Sequence, residues 1–472
     1  MRTILISLVF GVAALGTSGA PGAGERSDTS PNTLILALDG VPYRVVVEAR
    51  ARGAFEGWAE PRPLVSTFPS ITNVGFVAIL SPLGSQPMRG YELRHYDSER
   101  NRVGGGGVAG YRKQVGAWRV LFDARGSLWS KAGAFLWPRH EARSEIRRIE
   151  KLALEEPSPL MLGLVGATDS ILHVDGDQAA IRLLVEISER IDVLRRRHEE
   201  LHGRPLRVVI VSDHGNGGGK IRTTDGFRRT LRDAGFRPVE HLSRPDDVVL
   251  VTYGVCGYGA IYLAHERAVS AARAGLGHEG VELAAWIDGD RRMRVLGRAG
   301  EALVRWRTTG PEREFSYEPS GGDPLRHWPA QATLREAGRL DAEGFGSEND
   351  WFEATAAGEY PHALARLVDA LEGRFVRNAA TVLFSFEPGY AWGVPAARFG
   401  AWILGGRLEA THGGLDRVSS WGVYLRTDED GRPSAPMRAD TALAEWAESP
   451  DLRAALAAWP LAACPHRPRA VR

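Results

Sequence analysis

At 472 residues, with 43% hydrophobic and 25% charged side chains, the chain has the composition of an ordinary globular protein and is long for a single core, so two lobes are expected. A formal net charge of +1 leaves no broad basic surface, which speaks against binding of nucleic-acid duplexes and against adhesion to acidic membranes. The basic residues are overwhelmingly arginine, a compositional bias without functional weight.

The first element in the chain is an address. Arg2 precedes an apolar run from Ile4 to Leu15, and small residues follow through Ser18-Gly19-Ala20. This is the layout of a secretory signal peptide over residues 1–20, and it predicts a secreted or periplasmic protein. The run is about 12 residues, too short for a lasting membrane anchor, and no later stretch reaches about 18 consecutive apolar residues. The two cysteines, Cys256 and Cys464, could pair in an exported chain or remain buried thiols.

β/α alternation follows. Thr33 to Leu38 reads as a buried parallel strand ending on Asp39-Gly40, with a helix from about Pro42 to Arg52. Asn73 to Leu80 is apolar and helix-compatible, so Thr72 stands where a helix could begin. The glycines from Gly104 to Gly107 suggest a surface loop. Leu160–Val165 and Leu206–Val211 read as two further strands, separated by a helical pattern from Ile181 to Glu199. The second of these strands ends on Ser212-Asp213-His214-Gly215. From Trp286 to Glu318 the pattern resembles a β-meander with turns at Gly289 and Gly300, broken at Gly321-Gly322-Asp323-Pro324. Helical stretches come next, and Thr381–Phe386 returns to the sheet and leads toward His412.

The expected fold is α/β. A mostly parallel central sheet flanked by helices occupies 31–264 and 376–460, and a smaller inserted α+β cap lobe occupies 265–375. The cap is expected to cover the site and set substrate choice. Its Trp286, Trp306, Trp328 and Trp351 could stack on a leaving group, although core packing suits most of them better.

The chemistry lies in five short fragments. They contain Asp39, Thr72 in Pro69-Ser70-Ile71-Thr72-Asn73, Asp169 and His173, Asp213 and His214, and His412 in Thr411-His412-Gly413-Gly414. Several follow predicted strands at their carboxyl ends, where open α/β sheets place ligands. Asp169 and His173 are four apart and would share a helical face. Adjacent Asp213 and His214 could meet one cation. Carboxylate with imidazole suits Zn²⁺ or Mn²⁺ better than Ca²⁺ or Mg²⁺. Six such ligands and one hydroxyl are enough for two divalent cations flanking a phosphorus-centred reaction. A hydroxyl at a helix N-terminus sits where a phosphate is also welcome.

In this order the fragments resemble the alkaline phosphatase superfamily, and within it the nucleotide pyrophosphatase/phosphodiesterase and phosphonoacetate hydrolase branch. The resemblance covers about 33–215 and 380–425. It implies that Asp169, His173 and His412 hold one Zn²⁺, and that Asp39, Asp213, His214 and Thr72 hold the other. It also implies that Thr72 is the nucleophile of a double displacement through a covalent phospho-enzyme. Thr67, which precedes Phe68-Pro69, is the competing candidate. Many diesterases of the branch carry a phosphate-binding Asn where this chain has Leu93; Asn73, Arg94, His95 and Lys220 are the candidates for that contact.

The expected activity is therefore that of an exported bimetal phosphodiesterase or nucleotide pyrophosphatase acting on a small-molecule phosphoester. The alternatives are a phosphonate hydrolase or phosphomonoesterase with the same site, or a binding protein with a vestigial one.

Overall fold

The computed structural model describes residues 30–106, 118–125, 137–218, 221–224, 226–251, 254–393, 409–428, 434–444 and 446. The expected signal peptide, Lys220, Gly107 and Cys464 lie outside the described residues. The fold is mixed α/β. A six-stranded sheet runs in the order 437–438, 62–65, 421–426, 206–211, 32–38, 160–165. Asn32–Leu38 sits between Leu160–Val165 and Leu206–Val211 and is parallel to both. Trp421–Arg426 runs against its two neighbours, so five of the six strands share one direction.

Asn32–Leu38 is buried along its whole length, as expected of a strand covered on both faces. Its side chains alternate between two cores. Leu34, Leu36 and Leu38 join the apolar faces of the helices Tyr43–Ala51, Pro138–Glu155 and Asp177–His202. Ile35 and Ala37 join the opposite core, which includes the short apolar helix Thr72–Ile79. The strands at 160–165 and 206–211 and the helix behind the 181–199 periodicity agree with the pattern, the helix extending at both ends to Asp177–His202.

A second, nine-stranded sheet packs against that opposite core. Its order is 346–347, 312–320, 300–309, 292–297, 281–287, 382–386, 258–262, 247–251, 237–239. Alternation again divides the side chains: Leu283 and Ala285 face the core shared with the first sheet, while Ala284 and Trp286 face the helix Ala268–Leu276. Val382–Phe386 pairs with Tyr258–Tyr262 on one side and Val281–Ile287 on the other. The strand Val281–Ile287 of the expected cap is therefore hydrogen-bonded to Val382–Phe386 of the expected core, within one continuous sheet.

Trp286, Trp306 and Trp351 are core residues, and Trp328 is exposed. The glycine run differs from expectation as well. Gly104 and Gly105 belong to a strand, Arg102–Gly105, paired antiparallel with Arg94–Asp97, and it is the missing side chain at Gly90 that leaves room for His95. Among the described residues, no helix is long and apolar enough to cross a membrane.

Candidate active site

The carboxyl ends of three adjacent parallel strands deliver the acidic residues. Asp39 follows Asn32–Leu38, Asp213 follows Leu206–Val211, and Asp169 lies on the helix Ala167–Asp175 just after Leu160–Val165. Gly40 permits their approach. Its φ is +66°, and a Cβ there would lie 2.5 Å from Asp169 Oδ1 and 3.0 Å from the His214 ring. The amide of Gly40 donates to Asp213 Oδ1 at 3.0 Å, and that of Val41 to Ser212 Oγ at 2.8 Å, locking the two strand ends together. Gly75 does the same for the Thr72 helix, whose backbone lies so close to Asp213 that a Cβ would sit 3.0 Å from it.

His412 comes from a loop sewn in by backbone bonds. Ala410–Thr411 pairs with Gly217–Gly218, Ser70 bridges to Gly413, and the amide of Gly257 donates to the His412 carbonyl at 2.8 Å.

Thr72 is the first residue of its helix and donates to Asp39 Oδ1 at 3.0 Å, with His214 Nε2 at 3.3 Å. Ligand atoms of Asp39, Asp213 and His214 lie within 4.8 Å of one another, as do those of Asp169, His214 and His412. His173 Nε2 reaches Asp169 Oδ2 at 3.3 Å, one helical turn away. His214 is thus common to both groups, and its ring stacks on that of His412 at 3.9 Å. Thr67 points elsewhere: its hydroxyl donates to the Pro69 carbonyl at 3.2 Å.

The donor set fits divalent cations. All three imidazoles donate Nδ1–H to a backbone carbonyl: His173 to Ala410 at 2.7 Å, His214 to Gly215 at 2.8 Å and His412 to Ser70 at 2.9 Å. That leaves the Nε2 atoms of His173 and His412 facing Asp169 and that of His214 facing Asp39 and Asp213, the orientation that metal-binding histidines adopt. Asp213 Oδ2 is fully buried with no hydrogen-bond partner among the described residues.

The electrostatics show the same tension. Burial pushes His412 down to about 3, reinforced by the neighbouring His214. Burial also lowers His214, against the pull of Asp169. Burial would lower His173, but the charge and hydrogen bond of Asp169 outweigh it and raise it. Burial raises Asp213, and the charge of Asp169 adds to the effect. Asp169 itself would rise on burial, but His173, His412 and His214 hold it well below the usual carboxylate range. Three carboxylates packed against the buried rings of His173, His214 and His412 leave opposed charge states side by side, a conflict that multivalent positive charge would relieve.

Of the substrate-contact candidates, Asn73 is the second residue of the Thr72 helix and half-buried. Arg94 is paired with Glu240 at 3.0 Å, and His95 is buried between Gly90 and Gly104; neither belongs to the Asp–His cluster. Sequence reasoning missed Asn216, whose amide donates to Asp169 Oδ1 at 3.2 Å, and Thr168, whose hydroxyl is 2.7 Å from the Asp39 carbonyl. The position of Asn216 three residues after Asp213 was the available signal.

No protein-family model and no curated protein sequence matches the chain. Among solved structures, it is similar to human ectonucleotide pyrophosphatase/phosphodiesterase 5 at 10% identity and TM-score 0.45, over 87% of this chain and 92% of that one. The murine protein of the same name matches at 9% identity and TM-score 0.44, again over 87% of this chain and 92% of that one. An inactive murine variant in complex with AMP matches at 9% identity and TM-score 0.45, over 88% of this chain and 93% of that one.

Proposed function

We propose that the chain is an exported hydrolase of phosphoric esters, a phosphodiesterase or nucleotide pyrophosphatase that works through Thr72. The observation that carries the reading is the placement of Thr72 Oγ1 at a helix N-terminus, 3.0 Å from Asp39 and 3.3 Å from His214, beside the Asp169–His173–His412 group.

Asp39, Asp213 and His214, with Thr72, would hold one divalent cation, and Asp169, His173 and His412 the other, with Zn²⁺ or Mn²⁺ the metals suited to this mixture. When bound, the two cations supply positive charge for the attacking and leaving oxygens. Thr72 Oγ1 loses its proton on the Asp39 side and attacks phosphorus. The Oγ–P bond forms as the bond to the leaving oxygen breaks, and that oxygen departs with the electron pair. The positive end of the Thr72–Ile79 helix would stabilise the phosphoryl oxygens, and Asn73 in its first turn would donate to them. Water then attacks from the vacated side, the Oγ–P bond breaks, and Thr72 recovers a proton.

A panel assay of the mature protein with Zn²⁺ or Mn²⁺ tests the reading, comparing aryl phosphodiesters, aryl monoesters, nucleotides and phosphonates. Diester or pyrophosphate turnover should dominate, with about two metal equivalents per chain. Preference for a monoester or a phosphonate would move the substrate class while keeping the site. Turnover of none of them, with no bound metal, would leave a binding protein.

A further inference from the structure

Arg366 lies on the helix Ala363–Glu372, within the stretch that joins the Asp213–His214 half of the chain to His412. It is 4% exposed, and among the described residues its guanidinium makes four hydrogen bonds, none of them to a carboxylate. One terminal nitrogen donates to the carbonyls of Pro361 and Leu415, both at 2.9 Å. The other donates to the Thr67 carbonyl at 2.9 Å and to Ser70 Oγ at 3.0 Å. One planar group therefore joins the loop that ends in Thr72 to the loop that follows His412.

Ser70 passes the constraint on. Its hydroxyl lies 2.8 Å from the Gly414 carbonyl, and its own carbonyl accepts Nδ1–H of His412 at 2.9 Å. That last bond fixes the tautomer of His412 and aims Nε2 at Asp169, 3.9 Å away. Two residues further along the chain stands Thr72.

Burying a charge without a counter-ion is costly, and burial brings the Arg366 guanidinium down to about 9, with only the more distant charge of Asp416 opposing the shift. A side chain needed only for packing would be better apolar. Lysine could not replace it, because an ammonium lacks the planar fork that reaches both loops at once.

We propose that Arg366 is a positioning residue that sets the separation of Thr72 from His412 through Ser70, and so holds together the two cation-binding halves of the site. The inference rests on the proposed function for its meaning, but not for its measurement.

The test uses the full mature chain as Arg366→Ala and Arg366→Lys. Zn²⁺ affinity, the His412 tautomer by ¹⁵N imidazole NMR, and kcat and KM on an aryl phosphodiester are read with and without millimolar guanidinium. Arg366→Ala should weaken one Zn²⁺ equivalent by about 10–100-fold while the other stays near its wild-type affinity. It should also mix the two His412 tautomers and lower kcat more than KM. Added guanidinium should restore both tautomer and affinity in Arg366→Ala but not in Arg366→Lys, where the lysine occupies the space.

Wild-type tautomer and affinity in a folded Arg366→Ala would overturn the proposal. So would the absence of guanidinium rescue, which also decides the case if the alanine variant folds poorly. Should the wild-type protein bind Zn²⁺ yet hydrolyse nothing, the proposed function fails while the tautomer and affinity readings still decide the role of Arg366.

Discussion

The two halves of the site are built differently. Asp39, Asp213 and His214 hang from the ends of adjacent parallel strands, in turns fixed by the amides of Gly40 and Val41, and Asp213 and His214 are fully buried. Asp169 and His173 sit on a helix instead, and His412 on a loop that backbone bonds, Ser70 and Arg366 hold from several directions. The strand half is positioned by elements close to it in the sheet. The helix-and-loop half is positioned by residues that share neither its strand nor its segment. If the site holds the two cations proposed, the one assigned to Asp169, His173 and His412 should be lost before the other when distant residues are changed.

The largest effect should come from the hydroxyl that both halves serve. Thr72→Ala should lower turnover on the order of 10³-fold or more while retaining both metals, measured by steady-state kinetics and elemental analysis. Thr67→Ala, whose hydroxyl bonds to Pro69, should remain active. The reverse pattern would move the nucleophile to Thr67.

The ligand histidines sharpen the comparison. His214→Ala should weaken mainly the cation assigned to Asp39 and Asp213, and His173→Ala mainly the cation assigned to Asp169 and His412, each by about 10²-fold. Calorimetric titration of each metal-free variant with Zn²⁺ separates these outcomes. Equal loss of both cations in each variant would mean that the two groups are not separable in this way.

A smaller effect is expected at Asn216, which touches a ligand and is itself none. Asn216→Ala removes the amide that donates to Asp169 Oδ1, and should cost about tenfold in affinity for one cation with no change in the other. An equal loss at both cations would place the residue in a general structural role.

The last effect is on stability, not on turnover or metal affinity. Glu145 accepts the Ala167 amide at the start of the helix that carries Asp169 and His173, and burial pushes its carboxyl up to about 7. An acid whose folded pKa is raised holds its proton in the folded state while the unfolded chain has already lost it. Folding stability therefore falls as pH rises from about 4.5 to about 7. Glu145→Gln keeps an acceptor for Ala167 and should stabilise the protein on the order of 2 kcal/mol at pH 8 with little change at pH 4. A thermal-denaturation series across this range reads the difference, and equal shifts at both pH values would remove the titration from the account.

Much of the strand half was legible in the sequence, for a physical reason. A continuous apolar run ending on Asp-Gly or Asp-His-Gly marks a buried parallel strand and its functional end at once, and Thr33–Leu38 and Leu206–Val211 are such runs. The four-residue spacing of Asp169 and His173 likewise specified a shared helical face, and the helix places them 3.3 Å apart.

What the sequence did not disclose are contacts made across long separations by residues of unremarkable type. Arg366 is one arginine among many, and its bonds to Thr67 and Ser70 span nearly 300 positions. Ser70 was visible only as part of a motif, not as the acceptor that orients His412. The nine-stranded sheet was likewise read only in its meander. The strands Arg237–Val239 and Asp247–Val251 are too short to show a period of their own, and Val382–Phe386 finds both partners far away in the chain.

The central claim is that Thr72 becomes covalently bonded to phosphorus. Acid quenching of the metal-loaded mature protein during turnover of an aryl phosphodiester, followed by peptide mass spectrometry, tests it most directly. The account predicts an aryl-phosphoryl adduct on Thr72, absent from Thr72→Ala and from protein treated with a chelator. Turnover that proceeds with no adduct on any residue, or an adduct on Thr67 in place of Thr72, would contradict it.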